Sequence, residues 1–574
     1  MRVGKIHRTA EKRTISRREI ILGASGVAAV MIVGGTPGDL FIPAARAQQT
    51  AADPPSLPTM PARNPWLIDS VYPTDHQNSA STGAVLHAGP ITGRALMMLD
   101  VKALRNVLTP SPKVKKIGNE TVVIGPGFNG ITKVRATGKA FDFVSFLPYP
   151  FATDAQPRIP PDALAVLLAD TDDAVRVKDR ARLVALAKRS SDLGLNRVNL
   201  FNGAYSVIDK DGFHYSAFDG TKIVKVTDDN DPQKPLRIER LKDFSADMPV
   251  TRNRPPVFLG VDMTYDGHIA ATTEGALLLI DRDLNLRAKL PFTNEAVQSG
   301  ICFDETGTYL ATSRRVFKVV WTGSKLSFDE ADGGWASEYN TRPPEQRQGA
   351  ARRIFSRYHP TPALMGFGSD PDKLLVMTDG DPAGANVVAF WRDDIPGDFQ
   401  QKDGTKSRRI ADQMRTDISN VVIESSPSVL GYGIAVLNAP YPNLLSDIWD
   451  NVPGSDAEPP PRGVQKFVWN PDTKALEKSW LNREIDASDA MVPVVSAGSN
   501  MMYISSKSNG IYGYAGLDWT TGAVAAHWSM PDGNRKWNNF GGVIALLEDG
   551  DFLLGGLFGI KRTNMSEADT VGRR

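Results

Sequence analysis

The chain alternates short apolar runs with polar turns, and residues 261–290 display this pattern most plainly. Their apolar runs are separated by Asp266-Gly267 and Glu274-Gly275, and the last run ends at Leu290. Asp-Gly between apolar runs favours a tight hairpin, because glycine readily adopts the positive φ that such turns need. The stretch therefore predicts a small antiparallel meander.

This spacing of turns recurs along most of the chain. Gly220 follows Asp211-Gly212 at the interval that separates Gly275 from Asp266-Gly267. Separate meanders would leave exposed strand edges, whereas radial repetition leaves only short, protected ones. We therefore predict an all-β chain, a β-propeller of seven or eight blades; two stacked sandwich domains and a β-helix are the alternatives. The β-rich regions centre on residues 120–150, 196–245, 256–290, 297–330, 360–400, 419–480, 490–530 and 539–563.

One zone departs from the β pattern. Residues at about 163–193 place apolar side chains at roughly helical spacing among Lys and Arg, which predicts a helical insertion between two sheets. Residues 48–64 are rich in Pro, Ala and Gln without periodicity, and we expect a disordered spacer there. The predicted organisation is a single propeller domain at 65–565 and a tail at 566–574.

The first 47 residues carry the features of an export signal. A basic stretch precedes an uncharged apolar run at residues 20–33, and Ala45-Arg46-Ala47 ends in a small-x-small pattern that predicts cleavage after Ala47. Arg17 and Arg18 stand directly before the apolar run, as in the twin-arginine motif of bacteria. We expect the Tat translocase to be a partner during export, with an ordinary Sec signal as the alternative. The mature protein would be periplasmic or secreted.

Composition narrows the remaining classes of function. The formal net charge of +1 gives no basic footprint for nucleic acid. The apolar run in the leader is too short for a confident span, so we expect no membrane span in the mature protein. The single cysteine, Cys302, excludes an intrachain disulfide and CxxC metal sites, and its apolar surroundings predict a buried thiol.

Two repeat units resemble known propeller families. Residues 261–290 resemble the blades of gluconolactonase/regucalcin-like and strictosidine-synthase-like propellers. Asp518, Thr521 and Gly522 match the A-x-D-x-x-T-G-x-x-x-W repeat of quinoprotein dehydrogenases, although Gly516 replaces its Ala and Trp528 falls two positions late. The resemblance implies the architecture rather than an activity, because catalytic and non-catalytic propellers share such repeats.

A catalytic or binding site in a propeller is expected at the mouth of the channel, where loops lead into the innermost strands. Polar residues that precede or interrupt apolar runs are candidates for such a site. Asp262 lies inside the first strand of its unit, where it could reach the channel. The other channel-mouth candidates are Asn199 or Asn202, Gln298, His359, Glu424, Asp489, and Asn538 or Asn539.

Glu424 is the strongest candidate for a functional residue among these. Burial of a carboxylate inside an apolar strand costs free energy unless the carboxylate is paired or ligates a metal. With Asn202, Asn438 and Asp489, Glu424 would supply the oxygen ligands that Ca²⁺ prefers. His359 is the candidate general acid or base, since histidine titrates near neutral pH. The alternative interpretations are that Glu424 hydrogen-bonds to the backbone between two blades and that His359 has a structural role.

Together these observations predict an exported propeller that hydrolyses a lactone or ester with the help of a metal ion. A dehydrogenase that uses pyrroloquinoline quinone (PQQ) or copper is one alternative, and His76, His87 and His359 would be the copper or zinc ligands. A non-catalytic ligand-binding or scaffold propeller is the other. Walker, HExxH and GxSxG motifs do not occur, and the GxGxxG match at residues 125–130 opens no predicted helix.

Overall fold

The computed structural model describes most of the chain after residue 56. The described residues are 57–91, 97–99, 108–109, 111–127, 130–136, 138, 141–150, 161–177, 179–192, 203–250, 256–297, 299–341, 361–379, 384–418, 426–437, 462–487, 492–508, 511–530, 543–557 and 560–564.

Eight antiparallel sheets dominate the described residues, and we number them as blades 1 to 8 in chain order. In each blade the first strand packs against the first strands of neighbouring blades and is innermost. The strands follow one another in the sheet in chain order, apart from the outer strands of blades 4 and 8. The strands of blades 1 to 4 are β4 (Lys113–Ile117), β5 (Glu120–Pro126), β6 (Gly130–Arg135) and β7 (Asp142–Pro148); β8 (Ser206–Ile208), β9 (His214–Phe218), β10 (Lys222–Thr227) and β11 (Arg237–Asp243); β12 (Phe258–Met263), β13 (Ile269–Thr273), β14 (Ala276–Ile280) and β15 (Leu286–Pro291); and β16 (Cys302–Asp304), β17 (Gly307–Ala311), β18 (Arg315–Trp321), β19 (Leu326–Ser327) and β20 (Trp335–Glu338).

Blades 5 to 7 repeat this plan, and blade 8 takes its outer strand from the N-terminal part of the chain. Their strands are β21 (Ala363–Met365), β22 (Leu374–Thr378), β23 (Asn386–Trp391) and β24 (Ile410–Arg415); β25 (Ser428–Leu430), β26 (Gly433–Leu437), β27 (Val464–Asn470) and β28 (Ala475–Asn482); β29 (Val494–Ser496), β30 (Met501–Ser508), β31 (Ile511–Asp518) and β32 (Val524–Ser529); and β33 (Ile544–Leu546), β34 (Phe552–Leu554) and β36 (Lys561–Asn564), with β35 (Gly556–Leu557) beside them.

Three short strands from the N-terminal part join this ring. The strand β2 (Met97–Leu99) pairs antiparallel with β36 and becomes the outer strand of blade 8. The strand β3 (Leu108–Thr109) pairs with β35, and β1 (Ala84–Val85) pairs parallel with the innermost strand of blade 7. The last blade is thus completed by the first part of the chain, which ties the two ends of the ring together.

The core consists of eight apolar clusters, and each cluster lies between two neighbouring blades. Successive side chains of a strand point to opposite faces of its sheet, so alternate residues meet the blade before and the blade after. In β13, for example, Ala271 packs in the cluster shared with blade 2 and Ala270 in the cluster shared with blade 4. The prediction of an all-β propeller is therefore confirmed, and its blades number eight.

Two helices, α1 (Pro161–Arg176) and α2 (Arg180–Asp192), follow blade 1 and precede blade 2 in the chain. They confirm the predicted helical insertion. Within the described residues, no helix combines the length and apolar character needed to cross a membrane. Cys302 is fully buried in β16 without a disulfide partner, as its apolar surroundings predict.

The ring has two faces, which we name by the inner strands. The strand-start face is the side on which the eight inner strands begin. The hairpin-turn face is the opposite side, where each inner strand turns into the second strand of its blade, as at Thr264–Gly267 in blade 3.

Candidate axial site

Residues 64–87, which we call the axial segment, lie against the innermost strands of all eight blades. Most of their side chains are buried, although only Ala84 and Val85 belong to a strand. At least one hydrogen bond joins the axial segment to the inner strand of each blade, and in six of the eight blades it runs from a backbone N–H of the strand to a backbone carbonyl of the segment. One such bond for each of blades 1 to 8, written donor to acceptor, is Val114 N to Tyr72 O (3.0 Å), Ile208 N to Pro73 O (3.0 Å), Thr74 Oγ1 to Asp262 Oδ1 (2.5 Å), Phe303 N to Ser79 O (2.7 Å), Leu364 N to Ala80 O (2.9 Å), Val429 N to Thr82 O (2.8 Å), Val495 N to Gly83 O (2.8 Å) and Gln77 Nε2 to Ile544 O (2.6 Å).

The segment enters and leaves on the hairpin-turn face. Trp66 packs at the turns of blades 2 and 3, where its ring lies 4.8 Å from the Arg282 guanidinium and 5.4 Å from Lys210 Nζ. At the other end, Val85 O accepts a hydrogen bond from Ala497 N (2.9 Å) in the first turn of blade 7. Since both ends lie on one face, residues between them form a loop that reaches into the ring.

The tip of this loop has a backbone that few residues adopt. His76 and Gln77 have φ values of 57° and 77°, in the left-handed region that is uncommon for residues other than glycine. His76 O accepts a hydrogen bond from Gly83 N (2.9 Å), which closes the loop. Gly83 itself has φ 66°, and a Cβ there would lie 3.3 Å from Pro493 O. These contacts hold the tip in a backbone conformation that is costly without them.

Asp75 is the centre of a buried polar cluster at this tip, which we call the axial cluster: Tyr72, Asp75, His76, Ser111 and Lys113. Lys113 Nζ donates to Asp75 Oδ1 (2.7 Å) and to Ser111 Oγ (2.6 Å), and Ser111 Oγ also donates to Asp75. The Tyr72 hydroxyl lies 3.0 Å from Ser111 Oγ. Lys113 and Tyr72 are fully buried, so each charge here depends on its partner.

The contacts of the second carboxylate oxygen of Asp75 show how far the tip extends along the ring axis. Asp75 Oδ2 accepts a hydrogen bond from Ser206 N (3.2 Å), at the first residue of the inner strand of blade 2. Lys113 is the first residue of β4, and Ile544, which bonds Gln77, is the first of β33. Three blades thus meet the tip at the beginning of their inner strands, so the axial cluster lies toward the strand-start face.

Burial sets the protonation of the cluster. Burial lowers the pKa of His76 to about 4, although the charge of Asp75 acts in the opposite direction. Burial likewise lowers the pKa of Lys113, which Asp75 opposes, and raises the pKa of Tyr72 well above its usual range. His76 is therefore neutral at pH 7. Among the described residues its Nδ1 has no hydrogen-bond partner, and neither has Gln77 Oε1.

Asp262 adds a second carboxyl group beside the tip. It lies in β12, is 5% exposed, and accepts hydrogen bonds from Thr74 Oγ1 (2.5 Å) and from Met263 N (2.7 Å). Burial raises its pKa to about 7, against the effect of these two bonds. Asp262 therefore exchanges its proton near neutral pH, whereas His76 stays neutral.

Asp262 is the one channel-mouth candidate of the sequence that falls within the described residues. The others lie outside them, as do Arg17, Arg18 and the cleavage position Ala47: Asn199, Asn202, Gln298, His359, Glu424, Asn438, Asp489, Asn538 and Asn539. The metal and acid–base roles predicted for them stay predictions. Across the described stretches, no group of three or more His, Cys, Asp or Glu residues is arranged to hold a metal ion.

The sequence did not single out Asp75, Ser111, Lys113 or Tyr72. One signal was present: Lys113 and Lys115 stand two residues apart in β4 and so share one face of an inner strand. Lysine is almost never fully buried unless it is paired. Two lysines at such positions therefore indicate buried carboxylate partners, and the structure supplies Asp75 and Asp228.

Comparison with known proteins adds little to this geometry. No family model matches the chain. An uncharacterized protein of Archaeoglobus fulgidus is 29% identical over 330 residues, a match that covers 53% of this chain and 60% of that protein. The chain thus spans less than two thirds of the length of this curated relative.

Solved structures show similarity at low identity. A protein from Bacteroides fragilis, provisionally assigned as a 6-phosphogluconolactonase, superposes with a TM-score of 0.38 at 9% identity, over 72% of this chain and 99% of that chain. Quinohemoprotein alcohol dehydrogenase from Comamonas testosteroni gives 0.46 at 9% identity, over 88% and 80%. Values this low carry no argument about function, and the eight-bladed architecture rests on the sheets themselves.

Proposed function

We propose that this chain is an exported propeller that hydrolyses a lactone or ester at the strand-start face of the ring. The observation that carries the proposal is the buried His76, which is neutral at pH 7 and has no partner at Nδ1 among the described residues. In the tautomer that carries its proton on Nε2, Nδ1 can accept a hydrogen bond from a bound water molecule and take its proton. Asp75, whose charge raises the pKa of His76, would stabilise the imidazolium that forms.

The order of the sequence candidates along the chain supports this choice of face. Asn438 directly follows β26, the second strand of blade 6, in the sequence. The remaining candidates share another property, since each stands shortly before an inner strand in the sequence. They are Asn202, Gln298, His359, Glu424, Asp489 and Asn538.

A division of roles follows from these residue types. Glu424, Asn438, Asp489 and Asn202 offer the oxygen donors suited to Ca²⁺, an ion that would polarise the substrate carbonyl. His76 would receive the proton of the attacking water, and His359 would return a proton to the leaving oxygen. Asp262, whose pKa is about 7 and whose carboxyl group interacts electrostatically with Asp75 and Lys113, would couple its protonation to the charge of the axial cluster.

The hydrolase proposal is tested with the purified exported protein, δ-valerolactone and 4-nitrophenyl acetate. We expect turnover of at least one substrate, loss of turnover after chelation, and recovery on addition of Ca²⁺. Glu424→Gln should lose the metal and the activity together. A Glu424→Gln protein that retains a full complement of metal would contradict the assigned ligand set, and no turnover of either substrate would count against hydrolysis.

Export is proposed from the leader and is tested separately. Replacement of both arginines, Arg17→Lys with Arg18→Lys, should leave the precursor in the cytoplasm of a bacterial host, because the Tat pathway reads the arginine pair. Release of mature protein from the double variant in normal amounts would instead favour a Sec signal. Fractionation followed by mass determination of the mature N-terminus would also test cleavage after Ala47.

A further inference from the structure

A cavity lies between the first hairpin turns of blade 8 and blade 1, on the hairpin-turn face of the ring. The two turns are Gly118-Asn119 in blade 1 and residues 547–550 in blade 8. The volume of the cavity is about 320 Å³, equal to roughly ten water molecules of the liquid. Both turns line it together with Val71 of the axial segment, so the cavity lies at the seam between the first and the last blade.

Two ion pairs line this cavity, and one of them is fixed by burial. The Arg562 side chain is 4% exposed; its Nη2 donates to Asp549 Oδ2 (2.7 Å) and its Nε to Asp551 Oδ2 (2.6 Å). A buried guanidinium is costly to separate from its carboxylate partners. Arg562 and Asp549 therefore belong to the scaffold of the cavity.

The other ion pair crosses the seam and can exchange its partners. Lys116 Nζ of blade 1 donates to Glu548 Oε2 of blade 8, and the two side chains are 47% and 57% exposed. Neither has another charged partner within the described residues. A pair this exposed contributes little to stability, because water screens it and both side chains lose freedom to form it. The pair can therefore open at small cost and offer a cation and an anion to a ligand.

The rest of the lining narrows the class of ligand. Val71, Val114 and Leu547 form an apolar wall that is part of the core between blades 8 and 1. The lining carries two cations and two anions, so a ligand with a net charge is attracted by one set and repelled by the other. A zwitterion gains from both sets, because its carboxylate can replace Glu548 on Lys116 and its ammonium group can replace Lys116 on Glu548.

We propose that this cavity binds a small α-amino acid with an apolar side chain, whose carboxylate bonds Lys116 and whose ammonium group bonds Glu548. The apolar side chain would lie on Val71, Val114 and Leu547, and the ligand would join blade 1 to blade 8. The cavity opens on the face opposite the proposed hydrolytic site. Its function as a binding site therefore does not depend on whether the chain is a hydrolase.

Leucine is a suitable probe, with leucinamide as the analogue without a carboxylate and N-acetyl-leucine as the analogue without an ammonium group. Saturation-transfer NMR on the full exported protein should give a Kd for leucine of about 1 mM, the affinity expected for so few atoms. Each analogue should bind about tenfold more weakly, because it lacks one charge-assisted hydrogen bond. Erythritol, a neutral polyol, should give no measurable binding.

Two variants assign each charged group of the ligand to its partner, and both replace a half-exposed side chain whose loss the fold should tolerate. Lys116→Met should weaken leucine binding about tenfold without weakening leucinamide, which has no carboxylate to lose a partner. Glu548→Gln should weaken leucine to a similar extent without weakening N-acetyl-leucine. Lys478→Met is the matched control: it removes a comparably exposed lysine from its ion pair with Asp417 and should leave leucine binding unchanged.

Absence of saturable leucine binding up to about 20 mM would overturn the proposal, since the expected Kd is far lower. Equal affinities for leucine and both analogues, or erythritol binding as tight as that of leucine, would overturn the zwitterion as the class of ligand. Leucine binding that is unchanged in both Lys116→Met and Glu548→Gln would overturn the site, because the probe would then bind elsewhere.

Discussion

Two buried ion clusters lie side by side at the boundary of blades 1 and 2, and they differ in the elements that they join. In one, Asp228 pairs with Lys115 (2.5 Å) and Lys133 (2.7 Å), and all three side chains are fully buried. In the other, Asp75 pairs with Lys113 (2.7 Å) beside His76. The first joins strands of the ring to each other, and the second joins the ring to the axial segment.

The lysines of the Asp228 cluster are saturated with acceptors. Lys115 Nζ also donates to Gly212 O (3.3 Å), and Lys133 Nζ donates to the carbonyls of Asp231 (2.6 Å) and Lys234 (2.8 Å). In the axial cluster His76 Nδ1 lacks a hydrogen-bond partner among the described residues, as does Asp228 Oδ2 in the other cluster, although Lys133 Nζ forms an ion pair with that oxygen (2.7 Å). The Asp228 cluster contains no side chain of the axial segment, so we assign it a structural role, and the catalytic role proposed for His76 distinguishes the tip.

The largest effect on stability is expected for Asp228→Asn. Removal of this charge leaves two buried lysines without a counter-ion, which costs about 3–5 kcal/mol in the free energy of unfolding. Asp75→Asn strands only Lys113 and should cost less, and Asp211→Asn in an exposed ion pair should cost under about 1 kcal/mol. Urea denaturation of the three variants tests this order, and an Asp228→Asn protein as stable as Asp211→Asn would refute it.

Acid should weaken the fold through histidine. Burial lowers the pKa of His76 to about 4 and that of His214 to about 3. Both are neutral in the folded protein, so the unfolded chain binds more protons as pH falls below about 6.5. The stabilisation is complete above that pH and is lost as pH falls to about 4 for His76 and to about 3 for His214.

For His76 the loss amounts to roughly 3 kcal/mol, at 1.36 kcal/mol per pKa unit. His76→Asn should flatten the pH dependence of unfolding by this amount. Asparagine is the suitable replacement because it tolerates the left-handed backbone at this position. His527→Asn on an outer strand serves as the control, and equal flattening in both variants would contradict the assignment.

Asp262 should act in the opposite direction. Because burial raises its pKa to about 7, its contribution is complete below the unfolded value near 4 and is lost as pH rises through 7. Asp262→Asn should therefore stabilise the protein at pH 8 by up to about 4 kcal/mol and have little effect at pH 4. Thermal unfolding at the two pH values measures the difference, and destabilisation at pH 8 would show that the carboxylate is needed.

Thr74→Val gives the smallest expected effect on the free energy of unfolding. It removes the hydroxyl that bonds Asp262 while Met263 N still donates, so the cost should be about 1 kcal/mol at pH 8. The cost should shrink at pH 5, where Asp262 is protonated and needs the donor less. Thr74→Ser keeps the hydroxyl and should behave as the wild type at both pH values; a loss in that variant would assign the effect to packing instead.

The repeated sheets could be predicted because their signals are local. Hairpin turns such as Asp211-Gly212 and Asp266-Gly267 stand within a few residues of the strands they join, and alternation reports the period of a strand. The count of blades stayed at seven or eight, because β2 and β36 pair across almost the whole chain. No local pattern encodes that closure.

The axial segment could not be predicted for the same physical reason. Its partners are single backbone groups spread over eight strands, as in the bond between Gln77 and Ile544, and such bonds impose no periodicity. Residues 57–64, the last part of the predicted spacer, also contact the ring, since Thr59 Oγ1 donates to Asp370 (3.3 Å). Burial of Lys113 follows only from the position of β4 at the axis.

The kcat of His76→Asn tests the central claim most directly. If the open nitrogen of His76 receives the proton of the attacking water, kcat for the hydrolysed substrate should fall by about 10²-fold or more. At pH 7.5 its melting temperature should stay close to that of the wild type, and His527→Asn should retain full activity. A His76→Asn protein that is folded and turns over substrate at the wild-type rate would contradict the claim and leave the axial segment a purely structural element.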